Sequence, residues 1–205
     1  MTIVFFAVFG AIIGSFLNVL VYRMKDGETI MGRSMCRGCG RQIRWYDNVP
    51  VLSFLALRGR CRDCGMRISW QYPAVELITA GVFALIGTSF FSFEDMASWY
   101  ETAWLMLVVS CFIAVAAYDI RHMEIPTILL IVSAVVTLGF FAAVYRFDEP
   151  FLASRLGLGL AGAAAVGTFF FALVYVSRET WMGWGDVWLG AVAGMIVGLP
   201  AALFM

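Results

Sequence analysis

Six side chains stand out for the chemistry their spacing allows. The segments "CRGC" (Cys36 and Cys39) and "CRDC" (Cys61 and Cys64) are separated by 21 residues. Two Cys-x-x-Cys knuckles at such a spacing predict a tetrahedral, structural zinc site. Gly40 and Gly65 follow the knuckles and give each turn room to expose its amides to thiolate sulfur. A pair of disulfides or a redox couple is the alternative, and a reducing compartment disfavours permanent disulfides. Cys111 lies in an apolar run without a partner knuckle and reads as a small buried hydrophobe.

The other two are aspartates. Asp119 sits in "YDIRHMEIP", and Asp186 in "MGWGDVWLGAVAGM", from which no charge follows to the end of the chain. Ionisable residues at membrane depth are functional candidates by default; the plainer alternative is a pair of interfacial residues that reach water. Two carboxyls meeting in a poorly solvated place share one proton, because repulsion and desolvation oppose a second charge. Such a pair is the arrangement of aspartic proteases. The ionised member takes a proton from attacking water, and the protonated member polarises a peptide carbonyl. This chemistry needs no metal, serine or cysteine. His122, the only histidine, is not required and reads as an interfacial polar side chain. Gly183 and Gly185 flank Trp184 just before Asp186, and glycine permits close backbone approaches. Pro126, seven residues after Asp119, suits the first turn of the next helix.

The elements that must carry these residues follow from composition. The chain has 205 residues, 62% hydrophobic and 14% charged. Soluble domains average about 45–50% apolar and about 25% charged. Six charge-free stretches, 2–21, 77–93, 102–118, 125–145, 156–177 and 187–205, approach or reach the length of a membrane span. The expected fold is an all-α polytopic membrane protein with about six transmembrane helices and a small cytoplasmic zinc-binding loop domain. It divides into a first helix at 1–23, the four-cysteine loop at 24–72 and a helical membrane core at 73–205. The first run has no basic residue before it and no clear cleavage site, so it reads as a retained span.

Charge sets the orientation. Ten of the 14 Lys and Arg lie from Arg23 to Arg67, which puts that loop in the cytoplasm and the N-terminus outside. Counting crossings puts the ends bearing Asp119 and Asp186 on the cytoplasmic side. Trp181, Trp184 and Trp188 suit an interfacial belt there. The loop is too short for a large core and needs a staple such as a metal. Its basic residues are read as membrane-surface retention, with no nucleic-acid partner. There is no Gly-rich nucleotide loop, internal repeat or low-complexity segment.

These residues resemble one family over almost the whole chain. The motifs are "GSFLNVLVYR" (14–23), both cysteine knuckles, "IRWYDNVPVLSFLALRGRC" (43–61), "YPAVELITA" (72–80), the Asp119 segment with Ile125-Pro126, and Gly-x-Gly-Asp ending at Asp186. The chain resembles the type IV prepilin peptidases. The resemblance implies an intramembrane aspartic endopeptidase of the bacterial inner membrane, with Asp119 and Asp186 as the catalytic pair. It implies cleavage of type IV prepilins and type II secretion pseudopilins after a glycine, at the cytoplasmic face. For members with the cysteine loop it also implies methylation of the new N-terminus from S-adenosylmethionine. Trp188 stands where the family usually has a lysine, and family members usually continue through one or two more spans. Two other functions compete. One is a proton- or cation-coupled transporter using the two aspartates, and the other is a non-enzymatic membrane assembly factor with a zinc docking loop.

Overall fold

The computed structural model describes residues 1–199 apart from 28, 30 and 147–149. Among these the protein is helical, with no strand and only two isolated bridges, Met35 with Gln42 and Arg60 with Arg67. The elements are α1 (Thr2–Asp26), a 3-10 turn (Trp45–Asn48), α2 (Leu52–Ala56), α3 (Gln71–Phe90), α4 (Met96–His122), α5 (Thr127–Val144), a second 3-10 turn (Phe151–Ala153), α6 (Arg155–Ser177) and α7 (Trp184–Val197).

Five helices, α1, α3, α4, α5 and α6, are long and apolar enough to cross a membrane. Helix α5, with 18 residues, is the shortest of them and spans about 27 Å at 1.5 Å per residue, close to the roughly 30 Å of a hydrocarbon core. Helix α7 has 14 described residues. Residues 200–205 of the expected sixth span lie outside the described residues. Helices α3 and α4 begin earlier than their charge-free stretches. A charge at a membrane edge interrupts an apolar run without interrupting a helix, so Glu76 and Glu101 both fall inside helices.

The chain forms two compact units, Met1–Arg121 and His122–Met205. In the first, α1 and α3 pack with almost no side chain between them. The reason is the spacing Gly10-x-x-x-Gly14, which lets two helix backbones approach. A Cβ added at Gly10 would lie 2.6 Å from the Thr79 carbonyl oxygen, and one at Gly14 would lie 2.8 Å from Glu76 Cα. Asn18, fully buried, donates from Nδ2 to the carbonyls of Gly14 (3.2 Å) and Tyr72 (3.1 Å) and ties the two helices again. Phe6, Phe83, Ile86 and Met106 bring α1, α3 and α4 into one apolar cluster. In the second unit α6 and α7 meet through Gly162 and Gly194, where a Cβ on either would approach the other's carbonyl oxygen. Ser154 caps α6, its hydroxyl accepting from the Gly157 amide at 3.1 Å.

The close contact of α1 with α3 gives a direct comparison. Gly14→Val is expected to destabilise the protein by about 2 kcal/mol or more, because the neighbour it meets is backbone. Gly81→Val, on the same helix pair where an added Cβ meets nothing within 4 Å, is expected to be mild. Thermal unfolding of both in one detergent distinguishes them, and equal losses would refute the close-packing account.

Candidate active site and metal centre

Each cysteine knuckle is the same short turn. The Cys36 amide donates to the Arg41 carbonyl (2.9 Å) and the Gly40 amide to the Cys36 carbonyl (2.8 Å). The second knuckle repeats this, with Cys61 to Met66 (2.8 Å) and Gly65 to Cys61 (3.0 Å). Gly40 and Gly65 take φ of 67° and 70°, a region that favours glycine, and this is what closes the turns. The Gly38 amide points at Cys36 Sγ, 3.4 Å away.

The two turns bring all four Sγ atoms within 4.8 Å of one another, with Cys36 and Cys64 at 3.7 Å. A tetrahedral thiolate site with metal–sulfur bonds near 2.3 Å has sulfurs about 3.8 Å apart. All four cysteines are free of disulfides. Their titrations are split. Desolvation pushes Cys36 up, but the amides of Cys39 and Gly38 and the thiols of Cys61 and Cys39 outweigh it and lower it from 9.0 to about 7. At Cys64 the Met66 amide pulls down, yet desolvation and the other three thiols push it up to about 11. One thiolate forms readily and the next is resisted, a conflict that a divalent cation removes. The cluster therefore fits a tetrahedral metal ion.

Ion pairs brace the knuckles. Arg62 Nε and a terminal nitrogen donate to the two oxygens of Asp47 at 2.8 and 2.7 Å, pinning the first 3-10 turn to the second knuckle. The guanidinium holds the Asp47 carboxyl below its ordinary value of 3.8. Asp63 faces Arg41 and Arg44 at 3.6 and 3.7 Å. Arg37, inside the first knuckle, lies 4.2 Å from the centre of the Tyr22 ring on α1. The loop is thus tied to the end of the first helix.

The two aspartates belong to different units. Asp119 is exposed, in the last turn of α4. Two residues on, Arg121 donates to the Tyr22 hydroxyl at 2.7 Å and lies 4.1 Å from its ring centre. Asp186 is half-buried in the first turn of α7, and its Oδ2 accepts from the Gly183 amide at 3.0 Å. A carboxylate at the third helical position that reaches back to the N-cap amide satisfies one of the helix's orphan donors. Gly185 has a different task from a turn glycine. A Cβ there would stand 2.9 Å from Ile125 Cβ, so its bare backbone is what lets the start of α7 sit against the segment leading into α5. Pro126 is the N-cap of α5. Trp184 stays exposed, its indole nitrogen donating to Glu179 at 2.6 Å.

The sequence reading passed over Glu76. It is buried on α3, and its Oε2 accepts from the Val51 amide at 2.7 Å. Val51 has φ of 60°, an outlier for a β-branched residue. The available signal was a lone carboxylate within an otherwise apolar helix, "YPAVELITA".

Apolar helices of this length, with a four-cysteine loop between the first two, define a multi-pass membrane protein with an extramembrane module whose thiols could hold a metal. Residues 8–90 match the bacterial peptidase A24 N-terminal domain, and residues 106–205 match the type IV leader peptidase family. A prepilin leader peptidase/N-methyltransferase of Bacillus subtilis is 37% identical over 96% of this chain and 75% of its own length. A type 4 prepilin-like proteins leader peptide-processing enzyme of Escherichia coli is 33% identical over 92% of the chain and 74% of its own. A prepilin leader peptidase/N-methyltransferase of Myxococcus xanthus is 34% identical over 98% of the chain, which spans 57% of that relative. No solved structure matches the chain. The chain belongs to the type IV leader peptidase family.

The thiolate cluster carries its own test. Purified protein is expected to contain one thiolate-bound divalent ion per chain. Cys36→Ser, placing a hydroxyl where a thiolate is needed, is expected to lose it and to expose the loop to protease. Elemental analysis showing no metal in wild type, with all four loop thiols open to alkylation, would refute the centre.

Proposed function

We propose that this chain is a prepilin peptidase of the bacterial inner membrane. It cuts type IV prepilins and type II secretion pseudopilins after the glycine that ends the leader, at the cytoplasmic face, with its own N-terminus outside. In this reading Asp119 and Asp186 are the hydrolytic pair, and zinc on Cys36, Cys39, Cys61 and Cys64 holds the loop. The new N-terminus is then methylated, S-adenosylmethionine supplying, when bound, a methyl group on a sulfonium. The observation that carries the reading is Asp186. A carboxylate stands at the mouth of an apolar helix, held by the Gly183 amide, in a chain whose relatives over nearly its full length are named for leader cleavage.

The helix ends suggest how the two carboxyls divide the work. A helix is effectively positive at its N-terminus and negative at its C-terminus. Helix α7 presents its positive end to Asp186, and α4 its negative end to Asp119. We assign Asp186 as the carboxylate that takes a proton from attacking water, and Asp119 as the acid that polarises the scissile carbonyl. After the tetrahedral intermediate forms, a proton passes to the leaving amine and the pair returns to its starting state.

A prepilin with a Gly–Phe junction, incubated with the purified protein and then weighed by mass spectrometry, reads cleavage and methylation together. Asp119→Asn and Asp186→Asn are each expected to lower cleavage by at least about a thousandfold, since each removes a distinct proton-transfer step. Activity within about tenfold of wild type in either variant would remove that residue from the mechanism. In the same assay Gly185→Ala is expected to slow turnover by roughly a hundredfold, the scale of a 1 Å misplacement. Ile125→Ala in that background should recover part of the loss, and Trp184→Phe should be mild. Equal turnover in Gly185→Ala and Trp184→Phe would show that the glycine does not position Asp186.

A further inference from the structure

The cysteine loop holds one charge-free stretch, "NVPVLSFLAL", with Asp47 before it and Arg58 after it. Helix α2 lies within this stretch and has two unlike sides. Ser53 and Phe54 line a cavity of about 680 Å³ under the loop. Ser53 Oγ donates to the Tyr46 carbonyl at 3.0 Å, and the Phe54 ring packs on Trp70 with centres 4.8 Å apart. Leu52, Leu55 and Ala56 take no part in that wall and stand exposed. Residues three and four apart share one face of a helix, so these three point the same way. Leu52 and Leu55 are 65% and 62% exposed, and Trp70, just before α3, is 75% exposed. Grouped apolar side chains left open in this way mark a surface that something covers.

The depth of this face follows from its tie to α3. Helix α3 has 20 residues, about 30 Å at 1.5 Å per residue, which is roughly the thickness of a hydrocarbon core. Its first turns therefore mark the membrane edge on the loop side. The Val51 amide, one residue before α2, donates to Glu76 at 2.7 Å. Glu76 lies in the second turn of α3, about 7–8 Å along the axis from the helix start. The start of α2 is thus held level with that turn. Interfacial helices lie at a depth of roughly 5–10 Å, with their apolar face in the acyl boundary. Trp70 stands where a spanning helix enters the interface, a preferred place for an indole. Beyond α2, Arg58 and Gly59 take φ of 51° and 66° and turn the chain, and charge returns at Arg58 and Arg60. Arginines at such an edge keep their stems on apolar surface and their guanidiniums among phosphates.

We propose that α2 is an interfacial membrane anchor: Leu52, Leu55 and Trp70 enter the lipid leaflet beneath the cysteine loop, and Arg58 and Arg60 meet its phosphates. The occupant of the face is phospholipid. An apolar face followed at once by two arginines matches acyl chains capped by phosphate, and the Val51–Glu76 bond holds it at the depth where those chains begin. The cysteine module then lies on the bilayer instead of standing off it. Its apolar side chains are covered by lipid and not by a core of its own. The proposal rests on α3 crossing the membrane and is independent of which residues perform hydrolysis.

Photocrosslinking of the full chain tests this directly. A photoreactive benzoylphenylalanine is placed at position 55, or at position 42, where Gln42 is exposed on the first knuckle. Both proteins are illuminated in native membranes and in liposomes of phosphatidylethanolamine and phosphatidylglycerol, then digested and weighed. The peptide bearing position 55 is expected to carry the mass of a phospholipid in both settings, and the peptide bearing position 42 is not. Leu52→Glu combined with Leu55→Glu is expected to speed tryptic cleavage after Arg58 and Arg60 in liposomes by about tenfold, because a carboxylate at membrane depth lifts the helix into water and cleavage tracks the lifted population. Thermal unfolding identifies a double variant that is merely misfolded, and the probe at position 55, which adds no charge, decides the matter in that case. Adducts from position 55 to a polypeptide alone, whether a prepilin or a second copy of the chain, would overturn the proposal. So would the absence of any lipid adduct, or an unchanged cleavage rate in a folded double variant.

Discussion

The cysteine loop has no core of its own. Among the described residues from 24 to 72 none is buried. Its 3-10 turn and α2 contain no buried residue either, and Trp45, Leu52, Leu55 and Trp70 are exposed. Hydrophobic burial is the usual source of folding free energy, and here it is missing over nearly fifty residues. What replaces it is a set of four thiolates brought to tetrahedral spacing, with bidentate Arg62–Asp47 as a brace. A metal bound by preorganised thiolates contributes directly to folding. The loop in turn carries Val51 to Glu76 and Arg37 to Tyr22, so the same segment is tied to α3 and α1.

The membrane helices solve a different problem. Between apolar helices in lipid there is little hydrophobic driving force, and close packing has to supply the attachment. Gly10 and Gly14 do this for α1 on α3, and Gly162 and Gly194 for α6 on α7. The second contact bears on the proposed chemistry because Asp186 lies in the first turn of α7. One face of that helix is fixed on α6 through Gly194, and its first turn is set by Gly185 against Ile125. A short polar side chain on a rigid helix start is held more narrowly than one on a loop.

The knuckle cysteines were legible because metal ligands must repeat at short spacing, and the structure brings all four together. The apolar stretches marked the helices, though with late starts at α3 and α4, because a charge at a helix end ends an apolar run before it ends the helix. The role of Gly185 was half legible. The motif pointed to a close approach or a special φ, and only the fold showed that Ile125 is the neighbour. The buried setting of Glu76 was not legible. A single carboxylate in a helix acquires meaning from what surrounds it, and its surroundings come from α1 and from a loop twenty-five residues earlier.

The central claim is that Asp119 and Asp186, which lie in separate units of the chain, act as one proton-sharing pair. The direct test is to place thiols at both positions, Asp119→Cys with Asp186→Cys in a Cys111→Ala background, and oxidise mildly in native membranes. A disulfide forms without backbone movement only when the two Cα atoms are within about 7 Å. The account predicts a single cross-linked peptide joining residue 119 to residue 186 after digestion, suppressed by a bound prepilin leader. Free alkylation of both thiols with no such peptide would contradict it.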